Sequence, residues 1–400
     1  MKLSEVYKER LWTKDFINTS LVNFALMMSQ YLLLVTMAMY AAQQYNASVG
    51  MAGLVSSSFI IGSLIGRLFG GKHITEMGGK KMLIIGSVLI VILTASYLIP
   101  MGIYLFILLR ILHGAAMGYA MTATGTIIAQ IIPPSRNGEG IGYFSMSVVM
   151  ATAIGPLIGV SLISAYGFTS IFLFSFSMAV VSLILGLTVK APPMKVIKKE
   201  KDQKFNIWEF FEKRAVPISL VMFVMALAYS SILSYVTAYA ESINLIQAGS
   251  IYFTVYGVTV LLSRPITGPL LDRKGANVVM YPAIIMFGLG MIIISQASIT
   301  LAFLLAAVFI GFGYGNVQSI TQALSIKVTP PERLGLANTT YFIALDLGLG
   351  FGPFILGYIV PMLGYRGMYL TLGFVVLASI IIYYFLHGRH DKKLTQTGSL

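Results

Sequence analysis

Twelve long apolar segments dominate this chain of 400 residues. A helix needs about 20 mostly apolar residues to cross the hydrocarbon core of a bilayer. The pattern therefore predicts an all-α membrane protein with 12 transmembrane helices. The first segment is longer than the ~7–15 apolar residues of a signal-peptide core, so we interpret it as a span and expect no cleaved leader. The predicted spans lie near 17–42, 51–72, 81–99, 102–131, 140–165, 168–190, 215–240, 248–271, 276–296, 299–327, 337–363 and 365–387.

Composition supports this class and excludes others. Hydrophobic residues make up 57% of the chain and charged residues 10%, whereas soluble domains carry about 25% charged residues. The chain has no cysteine, which excludes disulfides and thiolate metal sites. Its net charge of +13 could indicate nucleic acid, but the apolar content favours a lipid bilayer as the partner. We expect no nucleic-acid partner, no metal and no cofactor.

The basic residues predict the orientation of the spans. With both termini cytoplasmic, the outside loops hold a single basic residue, Arg366. Basic residues accumulate on the cytoplasmic side of membrane proteins, so we expect a multi-pass protein of the cell membrane with both termini in the cytoplasm. The inside segments then hold Lys72, Lys80, Lys81, Arg136, Lys190, Lys195, Lys198, Lys199, Lys201, Lys204, Lys213, Arg214, Arg273, Lys274, Lys327, Arg333, Arg389, Lys392 and Lys393.

A polar stretch from Lys190 to Arg214 divides the chain. It predicts an N-terminal six-helix bundle over 1–190, a cytoplasmic linker over 191–214 and a C-terminal six-helix bundle over 215–400. Within the linker, the run Phe205–Arg214 mixes aromatic and charged residues, which is typical of a short helix lying in the membrane interface. A solvated linker is the alternative.

The two predicted bundles share sequence features at a constant separation. Arg67 and Gly71 recur 197 residues later as Arg264 and Gly268, and the pair at 155–156 recurs as Gly-Pro at 352–353. Because the register holds over roughly 100 residues, the halves are interpreted as repeats of one unit. Six-plus-six helices related by an axis along the membrane normal are a known transporter architecture.

The motifs of the chain resemble those of the major facilitator superfamily. The segment 264–275 is similar to the superfamily's signature loop R-P-x-x-G-x-L-x-D-R-x-G, and helix 5 resembles the G-x8-G-x3-G-P-x2-G motif of 12-helix drug:proton antiporters. The resemblance implies two pseudo-symmetric six-helix bundles in the major facilitator fold, and it favours export as the direction of transport. It implies gating roles for Arg67, Gly71, Arg264, Gly268, Asp272, Arg273, Gly275, Gly155 and Pro156.

Some motif positions depart from the family pattern. The N-terminal copy of the signature loop has Thr75 where an Asp is usual, which leaves that copy without its charged latch. Helix 4 resembles the R-x-x-Q-G motif with His113 in place of Gln, and helix 5 has Ala151 at one glycine position. Tight helix packing is the alternative explanation for the signature glycines and for the kink expected at Pro156.

Three ionisable residues lie inside predicted spans outside the signature loops: Arg110, His113 and Asp346. A charge in the bilayer is costly unless it is paired or hydrated, so each is a functional candidate. Helical rise places Arg110 and Asp346 near the midplane, and we predict that the three residues take part in proton coupling. Structural alternatives are a helix–helix hydrogen bond for Asp346, carbonyl contacts for Arg110 and neutral packing for His113.

The resemblance also implies that helices 1, 4, 7 and 10 line a central cavity. Neutral polar and aromatic residues on these helices suit an amphipathic organic molecule. The predicted substrate-binding residues are Asn23, Gln30, Tyr31, Tyr229, Tyr235, Tyr314, Asn316, Gln318 and Gln322.

These features predict a secondary active transporter that exports small amphipathic molecules in exchange for protons by alternating access. The alternatives are an exporter of one specific metabolite, such as a sugar or a metal-chelating small molecule, and, less favoured, a proton symporter. An enzyme is not expected, because the spans hold one acid and one histidine and the chain has no phosphate-binding loop. We expect the protein to act as a monomer on a small-molecule substrate.

Overall fold

The fold consists of long helices without strands over residues 9–193 and 210–391, the part of the chain described by this computed structural model. Eleven of these helices are long and apolar enough to cross a membrane. The first ten are α1 (Lys14–Tyr45), α2 (Val49–Met77), α3 (Gly79–Ser96), α4 (Ile103–Ile131), α5 (Asn137–Tyr166), α6 (Phe168–Thr188), α7 (Val216–Ser242), α8 (Ile246–Lys274), α9 (Asn277–Gln296) and α10 (Thr300–Lys327).

The last helical segment, Leu334–Leu386, contains two passes. Its backbone leaves helical geometry at Gly364, where φ is 66°. This left-handed conformation is accessible to glycine at little steric cost. The segment therefore divides into α11 (334–363) and α12 (365–386), which agrees with the predicted twelve spans.

Positive-φ glycines occur at matching positions of the two halves. Gly78 and Gly275 end α2 and α8 with φ of 82° and 86°, and Gly167 and Gly364 precede α6 and α12 with φ of 75° and 66°. Each pair is separated by the 197 residues of the sequence repeat. The duplication seen in the sequence thus has a direct counterpart in the backbone.

The signature segments are helical, which corrects the expectation that they form loops. α2 continues to Met77 and α8 to Lys274, past the predicted span ends near 72 and 271, so the segments stay helical up to Gly78 and Gly275 and Arg67 and Arg264 lie well inside helices. Both arginines are buried, at 2% and 1% exposure. Inside the bilayer such buried cations require partners, and this requirement shapes the site described below.

The two ends of the helix bundle are named after the ends of the chain. We call the end where α1 begins and α12 ends the terminal end, and the other the opposite end. Successive helices alternate in direction, so α2, α8 and α10 finish at the terminal end, where α5 and α11 begin. Half of the predicted interfacial helix Phe205–Arg214 lies outside the described residues. The described half, 210–214, forms a turn in which the Glu212 carboxylate binds Arg333.

Lys80 at the start of α3 stabilises the end of α6. Its ammonium group donates hydrogen bonds to the carbonyl oxygens of Gly186, Leu187 and Val189 at 2.6–2.7 Å. The last carbonyls of a helix have no partner within the helix, so a cation at this position satisfies three of them and fixes α6 against α3.

We expect the substitution K80M to lower the free energy of unfolding by about 1–3 kcal/mol, because it leaves these carbonyls without a charged donor. Thermal unfolding of the detergent-purified protein measures the effect. The neighbouring lysine, Lys81, is exposed, so K81M serves as the matched control. Equal unfolding midpoints for the two variants would contradict this role of Lys80.

Candidate functional site

A cavity of about 920 Å³ lies between the two halves. Its walls come from α1, α2, α5, α7, α8, α10 and α11. None of the lining residues lies within about 12 Å, measured along its helix, of the terminal end. At the opposite end the lining reaches Gly249, within one turn of the start of α8. The cavity therefore runs from the middle of the bundle towards the opposite end.

An ion pair forms the floor of this cavity. The Arg67 Nε atom of α2 donates to the Asp346 Oδ2 atom of α11 at 2.7 Å. The guanidinium group also lies 4.6 Å from the centre of the Phe342 ring. The Arg67 side chain is 2% exposed and the Asp346 side chain 17%. This contact joins the two halves of the chain at the boundary between the cavity and the packed terminal region.

Between the ion pair and the terminal end, α2 and α11 are in close contact. The Thr339 hydroxyl donates to the Arg67 carbonyl oxygen at 3.3 Å. A Cβ atom added at Gly71 would overlap the side chain of Thr339, and one added at Gly335 would overlap that of Ile74. We call this contact the α2–α11 seam. Its small residues allow the backbones to approach closely, which closes this side of the terminal end.

The other side of the terminal end is closed by α5 and α8. Here the Asp272 carboxylate accepts hydrogen bonds from the backbone N–H groups of Gly138 and Glu139, at 2.6 and 2.9 Å. These N–H groups belong to the first turn of α5, where donors have no partner in the helix and a negative charge is favoured. A Cβ atom at Gly268 would lie 2.7 Å from the Glu139 Cα atom. We call this contact the α5–α8 seam.

The N-terminal copy of the signature segment makes no such latch. Thr75 occupies the position that matches Asp272, and its hydroxyl donates to the Lys72 carbonyl oxygen of its own helix at 2.7 Å. An uncharged side chain that is bonded within α2 does not cap α11. Within the described residues, the ionic contact across the α2–α11 seam is therefore the deeper one of Arg67 with Asp346.

Five of the predicted substrate-binding residues line the cavity, namely Gln30, Tyr31, Tyr229, Tyr314 and Gln318. The other four are absent from its lining. Asn23 donates to the Ser147 hydroxyl, Tyr235 to the Pro353 carbonyl oxygen and Asn316 to the Phe312 carbonyl oxygen, while Gln322 is buried outside the lining. Polar groups in an apolar interior need hydrogen-bond partners, and Asn23, Tyr235 and Asn316 find them on another helix or on their own.

Tyrosine rings form one wall of the cavity. The Tyr229 ring stacks on Tyr314 with 3.7 Å between centroids and an interplanar angle of 10°, and it also stacks on Tyr256 at 5.5 Å. Tyr256 was missed in the sequence. The repeat contained a signal for it, because Tyr256 matches Phe59 at the 197-residue separation and both residues line the cavity.

Arg110 and His113 lie on α4, which contributes none of the described lining residues. The Tyr97 hydroxyl is 3.0 Å from His113 Nδ1. Arg110 Nε donates to the Val55 carbonyl oxygen at 3.3 Å, and its guanidinium group lies 4.8 Å from the centre of the Phe59 ring. The structure thus pairs Asp346 with Arg67 rather than with the α4 residues. A part for Arg110 and His113 in proton transfer stays a prediction.

The remaining predicted gating residues lie at different depths. Arg273 is exposed at the terminal end, and Gly275 supplies the left-handed turn that ends α8. Gly155 packs against α1, where an added Cβ atom would lie 3.1 Å from the Tyr31 Cβ atom, and Pro156 lines the cavity. These last two residues therefore shape the binding region rather than the closed end.

We expect D272N to weaken the closure of the terminal end by about 0.3–2 kcal/mol, since it removes the negative charge that α8 places beside the first turn of α5. Spin labels are attached at K81C and K274C. Both positions are exposed lysines of the terminal end, one in each half, so the distance between the labels measures the separation of the two halves. The native chain has no cysteine, so no background label interferes. E76Q, a substitution of the exposed acid Glu76 at the same end, is the control. Identical distance distributions for D272N and E76Q would contradict the latch.

Comparison with known proteins places this geometry in a family. The family model for the Major Facilitator Superfamily matches residues 19–246 and 241–399. An uncharacterized MFS-type transporter of Methanocaldococcus jannaschii is 26% identical, over 87% of this chain and 92% of the relative. The multidrug resistance protein MdtG of Enterobacter lignolyticus is 25% identical, over 82% and 81% of the two chains. The staphylopine export protein of Staphylococcus aureus is 22% identical, over 84% and 87%.

Solved structures agree on the fold. The human organic anion transporter MFSD10 superposes with a TM-score of 0.74 at 13% identity, covering 94% of this chain and 99% of that one. The transporter FucP in its outward conformation gives a TM-score of 0.71 at 18% identity, with the same coverage. The family model spans nearly the whole chain and the duplicated twelve-pass bundle is present, so this protein is a member of the major facilitator superfamily of membrane transporters.

Proposed function

We propose that this transporter exports small amphipathic organic molecules in exchange for protons by alternating access. The observation that carries the proposal is the Asp346 carboxylate on the floor of the cavity. An acid that is partly exposed to a cavity in the bilayer can bind a proton or a cargo molecule in turn, because both reach the same carboxylate oxygen atoms.

The charge distribution favours organic cations as cargo. Asp346 is more exposed than Arg67, at 17% against 2%, so the cavity meets the carboxylate before the guanidinium group. Arg67 is the one basic residue among the described residues that line the cavity. Tyr229, Tyr256 and Tyr314 give the cavity an aromatic wall, which suits the apolar part of an amphipathic molecule. An amphipathic cation would find both an acid and an aromatic wall.

The orientation we assign to the bundle is compatible with export in exchange for protons. Basic residues concentrate at the terminal end, which we assign to the cytoplasm. The closed seams are then cytoplasmic, and the cavity faces the outside. A proton from the outside medium would form an O–H bond with Asp346 and be carried inwards, while cargo taken up from the cytoplasm leaves in the opposite step. The moving units would be the predicted bundles 1–190 and 215–400.

Relatives support export and leave its breadth open. MdtG is named for multidrug resistance and the Staphylococcus aureus relative for staphylopine export. The first name favours a broad range of cargo. The second favours our second candidate function, export of one specific metabolite. A competition panel of organic cations, sugars and metal chelators separates the two, since a dedicated exporter responds to one compound class at low concentration.

We expect D346N to abolish proton exchange, because an amide does not take up and release a proton as the carboxylate does. Everted membrane vesicles that are acidified inside and carry a pH-sensitive fluorescent dye provide the measurement. Addition of tetraphenylphosphonium should release protons through the native protein and not through D346N.

The control for this experiment is E241Q, which removes an exposed acid at the opposite end of the bundle. It should behave as the native protein does. Proton release of native size through D346N would refute Asp346 as the exchange site.

We also expect the cavity to distinguish the sign of charge at constant shape. Tetraphenylphosphonium and tetraphenylborate have nearly the same size and opposite charges. Calorimetric titration of the detergent-purified protein should show binding of the cation that is at least about tenfold tighter, which corresponds to 1.4 kcal/mol. Tighter binding of the anion would refute the proposed cargo class.

A further inference from the structure

Two arginines occupy the same position in the two halves of the protein and have different partners. Arg67 of α2 reaches across to α11 and pairs with Asp346. Arg264, its match 197 residues later, turns into its own half, where it binds the Ser319 hydroxyl and the Gly315 carbonyl oxygen of α10. Among the described residues, no carboxylate pairs with Arg264.

The difference follows from a single position on the facing helix. Asp346 of α11 matches Val149 of α5 at the same separation of 197 residues. Val149 is buried and apolar, so Arg264 has no acid to reach across the α5–α8 seam. The two halves therefore share the arginine, and one of them carries the acid at this position.

The seams therefore close by contacts at different depths. The α5–α8 seam is held by Asp272 at the terminal end, away from the cavity. The α2–α11 seam is held by Arg67 and Asp346, which both line the cavity. Of these two ionic contacts, the second is the one that a proton or a cargo molecule in the cavity reaches directly.

We propose that Arg67 is the residue that makes transport an obligatory exchange, by locking the empty carrier through its pair with Asp346. The proposal rests on the proposed function, since it takes Asp346 as the site of proton and cargo. Arg67, a proton and a cationic cargo then compete for one carboxylate. With neither ligand bound, the ion pair re-forms and holds the α2–α11 seam shut, so the empty protein does not cross between its two states.

Release of the lock is a simple acid–base or ion-exchange step. In one case a proton from water in the cavity forms an O–H bond with Asp346 and the contact with Arg67 breaks. In the other, the cargo cation takes the carboxylate and displaces the guanidinium group. A bound monovalent cation gives the floor of the cavity the same net charge as a bound proton does. The two loaded states are therefore electrostatically equivalent, as an exchanger requires.

Few other groups compete at this position. The charged or titratable groups that interact electrostatically with Asp346 are Arg67 from α2, Tyr31 from α1, Tyr314 from α10 and Tyr341 from its own helix. The three tyrosines carry no charge near neutral pH. Arg67 is thus the one cation that faces the carboxylate within the described residues, and its removal tests the lock.

The test measures separation of the halves at the terminal end without requiring transport. Spin labels at K81C and K274C are introduced into the full chain in lipid nanodiscs, and distances are measured by pulsed electron resonance. We expect the native protein at neutral pH to show the short distance. Acidification or tetraphenylphosphonium should populate a longer one, and tetraphenylborate should not.

R67Q and D346N should both populate the longer distance without any ligand, by about 5- to 150-fold relative to the native protein, the usual range of coupling between two states. The charge-swapped double variant R67D/D346R should restore the short distance. R366Q, which removes an arginine at the opposite end, serves as the control and should match the native protein. Native distances in R67Q, or failure of the charge swap to restore the short distance in folded protein, would overturn the lock.

A gain-of-function variant tests the asymmetry between the seams. V149D gives Arg264 an acid at the position that matches Asp346. We expect it to shift the distance distribution towards the closed state at neutral pH and to require a higher concentration of tetraphenylphosphonium for opening. A distribution that is unchanged or more open would refute the matching roles of the two arginines.

Failure of the lock and failure of the proposed function give different results. If D346N loses proton exchange while R67Q keeps native distances, the exchange site stands and the lock is wrong. If R67Q and D346N both open while the native protein exchanges no protons, the lock stands and proton-coupled export is wrong.

Discussion

An ionised group inside a lipid bilayer needs a partner, and in this protein that requirement joins the two halves. Arg67 is buried in α2, and Asp346 of α11 is partly exposed at the floor of the cavity. Breaking a buried ion pair by removing one partner costs about 3–5 kcal/mol, because the other charge is left unpaired. The position of this pair marks where the packed terminal region stops and the cavity starts. Closure of the protein and access to the cavity therefore depend on the same two side chains.

The duplication is preserved in the backbone and altered in the charges. Matching glycines end α2 and α8 in the same left-handed conformation, and matching arginines lie inside both helices. The acids differ, since Asp272 has Thr75 as its match and Asp346 has Val149. The C-terminal half thus supplies both Asp272 at the terminal end and Asp346 at the cavity. A symmetric scaffold in this way carries two unequal seams.

The sequence predicted part of the candidate site. Tyr229 and Tyr314 were expected at the cavity and line it. Asn23 and Asn316 were expected there as well, but their amides bind Ser147 and the Phe312 carbonyl oxygen. Helical spacing identifies polar residues on a span without stating which face meets the cavity. An amide on a buried face finds a partner on its own or a neighbouring helix, because leaving it unsatisfied in an apolar interior is costly.

The sequence by itself determined the class of protein, the number of spans, the duplication and the expected orientation. These properties follow from hydropathy, from the distribution of basic residues and from matching residues along one chain, all of which are local or additive. Only the tertiary structure decided that Arg67 reaches Asp346, 279 residues away. It also decided that Arg110 and His113 pack apart from the cavity. Such pairings depend on how helices from the two halves face each other, and that arrangement is set by packing over the whole bundle.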